Sequence, residues 1–136
     1  MNPSSLKLPS RRHALAGAFC LAAALPALAQ PAALDGRRFE GVFLQRGKSS
    51  GDADTLTFRD GRFRSSACDR YGYSDAVYRS TAQGDGIAFE AETVSAKYGK
   101  LQWRGIVRGD KLDATALALQ DGKPAVENWV VAGAPK

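Results

Sequence analysis

Side chains that bind metals or act as nucleophiles are scarce in this chain. Its 136 residues include one histidine, one methionine and two cysteines. Met1, His13 and Cys20 all stand at the head of the sequence, in a stretch that reads as a targeting segment. Lys7, Arg11 and Arg12 form a positive region, "ALAGAFCLAAALPALA" is apolar and rich in small residues, and Ala27-Leu28-Ala29 fits an A-x-A cleavage pattern. A secretory signal peptide over residues 1–29 is therefore expected. The run from Leu15 to Leu25 falls short of the roughly 20 apolar residues a spanning helix needs, and Pro26 follows it, so no stable membrane anchor is expected. The bulky Phe19 directly before Cys20 argues against a lipidation site. Arg11-Arg12 with Leu15 partly resembles a twin-arginine signal, but the general secretory route is favoured over that one.

Once that segment is removed, residues 30–136 suffice for one domain and contain no histidine, no methionine and a single cysteine, Cys68. Without an imidazole there is no Ser-His-Asp or Cys-His nucleophile. One thiol cannot build a zinc site, attach a c-type haem or resolve a mixed disulfide. No enzyme, cofactor or metal is expected. The formal charge of +5 falls to +2 when Lys7, Arg11 and Arg12 leave, and no basic run survives, which speaks against a nucleic-acid partner.

What is present is a succession of short alternating runs separated by turn residues, the pattern of an all-β sandwich or barrel. Strands are expected over "RRFEGVFL", "DTLTF", "RFRSSA", "AVYRSTA", "IAFEAETV", "KLQWRGIV", "KLDATALAL" and "AVENWVV". Asp60-Gly61 joins the second and third as a tight hairpin. Leu56 and Phe58, then Phe63, Ser65 and Ala67, share a face; so do Ile87, Phe89, Ala91 and Thr93, and Leu101, Trp103, Gly105 and Val107. Eight hairpin-linked strands close most economically into a single antiparallel up-and-down meander barrel, because closure removes both edges. A β-sandwich is the alternative.

In overall plan such a barrel resembles the calycin group of lipocalins and avidins. Gly41-Val42-Phe43 is similar to the strand-one G-x-W of lipocalins, with Phe43 where that family has tryptophan, and no avidin biotin-contact pattern is present. "LTFRDGRFRSSACDRYGYSDAVY", with the later "FEAET" and "W-R-G", resembles small exported bacterial proteins. That resemblance implies a periplasmic or secreted location and brings no activity with it.

In a meander, odd-numbered loops gather at one end and even-numbered loops at the other. The even loops are tight, at Asp60-Gly61, Gly84 to Gly86 and Gly109-Asp110. The odd loops are longer: "QRGKSSGDAD", "CDRYGYSD", "SAKYGK" and "QDGKP". Barrels that hold a ligand admit it at one mouth, and loops carry function more often than scaffolds. Cys68, Tyr71, Tyr73 and Tyr98 are therefore the candidate ligand- or partner-binding residues, with Lys48, Lys97, Lys100 and Lys123 around them. The bland reading is that these tyrosines only cap the barrel and the lysines are solvated charges. Six basic against five acidic residues at this end leave its charge nearly balanced.

Two questions stay open at this level. Small inward residues such as Ala91, Gly105, Ala114, Ala116 and Ala118 either leave a cavity or interlock with the aromatics into a solid core, the latter slightly favoured. Strict alternation from Phe63 turns Cys68 outward, towards Arg64 or Arg70, where it would be reactive or link two chains; a bulge would turn it inward as an inert thiol. The chain is expected to be an exported, non-enzymatic binding module for a small apolar or aromatic ligand at the odd-loop mouth. The alternative is an accessory or inhibitor-like module that binds a partner protein through the tyrosine loops. A carboxylate enzyme would have to use Glu90 and Glu92, whose alternation places them on a solvated face.

Overall fold

The structure, a computed structural model, describes residues 33–135; the expected signal segment, residues 1–29, lies outside the described residues. Eight strands follow in order: β1 (Arg38–Gln45), β2 (Asp52–Arg59), β3 (Arg62–Ser65), β4 (Ala76–Gln83), β5 (Gly86–Ser95), β6 (Gly99–Arg108), β7 (Lys111–Leu119) and β8 (Val126–Gly133). Each is antiparallel to its sequence neighbours, and β8 pairs back onto β1 from Glu40↔Gly133 to Gln45↔Asn128, closing the barrel. The expected meander barrel is the observed fold, and the sandwich is not.

Alternation decides which residues enter the core. Phe39 on β1, Leu56 and Phe58 on β2, Phe63 on β3, Tyr78 on β4, Phe89 on β5, Trp103 on β6, Leu112 on β7 and Val130 on β8 are all buried. Phe58 is the hub. Its ring centroid lies 5.0 Å from those of Tyr78 and Phe89 and 5.3 Å from that of Phe63, mostly in tilted or edge-on contacts. Phe63 meets Trp103 at 4.8 Å. Rings at these separations gain edge-to-face energy beyond their area, and fully burying each contributes on the order of 2 kcal/mol. The even-loop half of the barrel is thus solid.

That end is also sealed. Leu34, 0 % exposed, folds under the strands before β1 begins. Its N–H donates to the Tyr78 hydroxyl at 3.1 Å, and that hydroxyl donates to Asp35 Oδ1 at 2.7 Å. The Asp35 carboxylate in turn accepts the Gly61 N–H at 3.0 Å, in a two-residue turn where both Asp60 (φ 52°) and Gly61 (φ 72°) are left-handed. A type I′ hairpin requires that pair of positive φ values, and Asp-Gly supplies it.

One strand differs from the sequence reading. β3 stops at Ser65, two residues short of Ala67, and residues Ser66–Tyr71 form a 3-10 turn capped by Gly72 at φ 77°. The cause is Asp54. It lies one alternation step before Leu56, faces inward, and is 3 % exposed. Its carboxylate accepts the Ser65 hydroxyl at 2.7 Å, the Ser66 hydroxyl at 3.3 Å and the Ala67 N–H at 3.0 Å. A buried carboxylate needs such donors, and gathering three from one segment bends that segment out of the ladder. In consequence β3 and β4 are joined only at Arg62↔Val77 and Phe63↔Ala76, whereas β5 and β6 stay paired from Ile87↔Val107 to Ser95↔Gly99.

Trp129 sits neither in the core nor at a rim. It is 46 % exposed on the outer face of β8, its indole N–H donating to Glu127 at 2.8 Å.

Candidate functional site

The odd-loop half of the barrel is open. A cup of about 700 Å³ descends from the mouth between the four odd loops. Its floor is Phe43 and Leu101, and Phe43 leans edge-on against Trp103 with centroids 5.8 Å apart, so the cup begins where the solid core ends. The choice between a hollow and a filled barrel therefore divides along the axis: aromatic filling below, a cup above.

All four residues singled out in the sequence, Cys68, Tyr71, Tyr73 and Tyr98, line this cup. They form one wall, and Ser95 holds that wall together. Ser95 is 3 % exposed; its hydroxyl donates to the Tyr71 carbonyl at 2.7 Å and accepts the N–H groups of Tyr98 at 3.2 Å and Lys97 at 3.3 Å. One hydroxyl thus pins the 3-10 segment to the β5–β6 loop. The rings of Tyr71 and Tyr98 then meet edge-on at 5.5 Å, with Arg70 over the first at 5.0 Å and Lys97 over the second at 5.2 Å. The Tyr73 hydroxyl donates to the Tyr98 carbonyl at 3.3 Å, and burial raises its pKa above the ordinary tyrosine value. These contacts tie the two loops to each other.

Cys68 takes the inward alternative. The 3-10 turn replaces the strand alternation that would have turned it out, and it is 4 % exposed. Its sulfur lies 3.3 Å from the Ser65 hydroxyl oxygen. That hydroxyl has a single hydrogen and sits closer to the Asp54 carboxylate, so it donates there and presents a lone pair to the thiol. Burial, first of all, raises the Cys68 pKa from 9.0 to about 11, with the Asp54 and Asp69 charges adding to the effect. A thiol held neutral is a poor nucleophile. Cys68 is a wall element of the cup.

The opposite wall comes from the β8–β1 seam and from β7. It is built of Gln45, Ala118, Val126 and Asn128, with Lys48 and Lys123 above them at the rim. The sequence reading put Leu101 on one face with Trp103 and Ala118 among the small inward residues, but named none of Phe43, Leu101, Ala118 and Asn128 as a site residue. Their signal was present in the alternation, since Asn128 has the same parity as the inward Val130, and Ala118 the same as Ala116.

The near balance of charge at this end resolves into pairs. Asp52 bonds Arg70, Asp69 bonds Arg64, Asp75 meets Arg62 at 3.2 Å, Glu127 meets Arg46 at 3.0 Å and Glu92 meets Lys100 at 3.2 Å. Exposed pairs of this kind contribute at most about 1 kcal/mol each. Their geometric effect is larger, because Arg70–Asp52 ties the 3-10 segment to β2. Lys48 and Lys123 have no ion pair among the described residues. Glu90 and Glu92 both point outward and are exposed, away from the cup. Among the described residues no three His, Cys, Asp or Glu side chains gather into a group that could hold a metal ion.

Comparison of the chain with family models, with curated proteins and with solved structures gave no match.

Proposed function

We propose that this chain is an exported, non-enzymatic binding module that takes one small apolar or aromatic molecule in the odd-loop cup. The observation that carries the reading is the division of the barrel into a packed half and an open, largely apolar cup of about 700 Å³. Ligand sites are concave, mostly apolar and pre-formed, with a few placed polar groups. An exported location belongs to the proposal, resting on the signal-like head of the sequence and on the exported proteins the chain resembles.

The test is titration of the purified chain with N-phenyl-1-naphthylamine, a neutral dye that brightens in apolar surroundings. A saturable rise at one dye per chain supports the reading, and Ala118→Trp, which fills the cup from β7, should abolish it. A linear, non-saturating response, or a response that Ala118→Trp leaves intact, overturns it.

A second reading has its own observation. Tyr71 and Tyr98 are 40 % and 37 % exposed and meet edge-on at the rim, and tyrosines so held suit a protein interface. A partner protein bound there would be lost from Tyr71→Ala/Tyr98→Ala yet retained by Ala118→Trp, the reverse of what a cup ligand requires.

A further inference from the structure

Polar groups inside the cup narrow the class of molecule it holds. Asn128 is 6 % exposed and lines the cup wall below the rim. Its amide nitrogen donates to the Ala116 carbonyl at 3.2 Å and the Val126 carbonyl at 3.4 Å. Both neighbours are acceptors, which fixes nitrogen on their side and oxygen on the other. No protein group among the described residues donates to that oxygen. Among those residues, no fully buried side-chain polar atom lacks a partner, so Oδ1 is the part of Asn128 that opens onto the cup. Gln45 pairs with Asn128 across the β1–β8 seam, and Phe43, Ala118 and Val126 line the same cup. The floor offers no hydrogen, and the rim lysines belong to loops beyond Val126.

We propose that Asn128 Oδ1 is the specificity-determining acceptor of the cup, and that the ligand is an apolar or aromatic molecule bearing a neutral hydroxyl or N–H that donates to it. This rests on the cup being a ligand site. A buried acceptor left without a donor by the wrong ligand costs more than a hydrogen bond gains with the right one, so the site rejects purely apolar isosteres.

Two fluorescent naphthalenes of nearly one shape separate the possibilities: 2-naphthol donates a hydrogen bond, 2-methoxynaphthalene cannot. The wild-type chain should bind 2-naphthol about fivefold more tightly, the worth of one neutral hydrogen bond. Asn128→Leu should erase the preference by weakening 2-naphthol and sparing or strengthening 2-methoxynaphthalene. Gln45→Leu, which changes the other carboxamide of the same wall, should keep it. Equal affinities in the wild type overturn the inference and leave the cup standing, as does a preference that survives Asn128→Leu or vanishes only with Gln45→Leu. Should neither compound bind, the cup reading falls and this inference with it. Asn128→Leu also removes two donors to the backbone; if it does not fold, the wild-type comparison decides by itself.

Discussion

Raising the pH should remove a measurable share of the stability through Cys68 alone. The thiol titrates at about 11 in the folded chain against 9.0 when free. Two pH units of difference correspond to ~3 kcal/mol. The sign follows from which state keeps its proton. Between these two values the unfolded chain has released the thiol proton and the folded chain has not, so the unfolded state gains on the folded one as pH rises. Below 9.0 the contribution is complete; by about 11 it is gone. Urea unfolding of wild type and Cys68→Ala, measured from about pH 8 to about pH 11, isolates the thiol from every other titrating group. The wild type should lose ~3 kcal/mol more than the variant across that window. Parallel curves would show that the thiol is solvated in the native state and that the inward placement of Cys68 is wrong. Labelling gives a second reading of the same quantity. With a pKa of about 11, about one molecule in ten thousand carries the thiolate at pH 7. A thiol-reactive dye should therefore label the native chain at least about a hundredfold more slowly than the urea-unfolded chain. The same burial predicts monomers on a non-reducing gel, and Cys68-linked dimers would count against it.

Two further outcomes follow from the packing. Tyr78→Phe removes the hydroxyl that donates to Asp35 and accepts from Leu34; a bond to a carboxylate is worth ~2 kcal/mol, so the thermal midpoint should fall by roughly 10 °C, and an unchanged midpoint would mean that the even-loop end is not latched. Gly41→Ala would place a Cβ 2.1 Å from the Val131 carbonyl oxygen and 2.7 Å from the Ala132 Cα across the closing seam. Backbone on both sides cannot yield cheaply, so chemical denaturation should show a loss of about 2–3 kcal/mol, and a neutral result would place the β1–β8 seam further apart.

The barrel was legible because period-2 alternation and turn dipeptides fix strands and faces together. Asp60-Gly61 names its own turn, and Phe58, Phe63, Phe89 and Trp103 fall on the predicted inner face. The end of β3 was not legible from local pattern. "RFRSSA" continues the alternation perfectly, and what stops it is the Asp54 carboxylate on a neighbouring strand, whose partners only the fold brings near. The same holds for Cys68, whose direction depends on that interruption. Loop lengths located the open end and its tyrosines. Loop lengths carry no information on depth, so although alternation gave the faces of Phe43, Leu101 and Asn128, their places at the floor and wall of the cup emerged only when the strands were in register. Ser95 was hidden for another reason: a small polar residue at a strand end is common, and its three partners come from two different loops.

The thin pairing between β3 and β4 distributes stiffness unequally around the mouth. From β5 through β8 and on to β1 the ladders run nearly the full strand length, and that arc behaves as a rigid shell. Above Phe63↔Ala76 the circumference is instead completed by residues 66–75, held by a serine, a carboxylate and three ion pairs. Few backbone hydrogen bonds resist displacement there, so low-energy fluctuation concentrates in that sector. The diameter of the opening is thereby set by one compliant arc, and a change in girth can be absorbed, or selected, at residues 66–75 without re-registering a single strand.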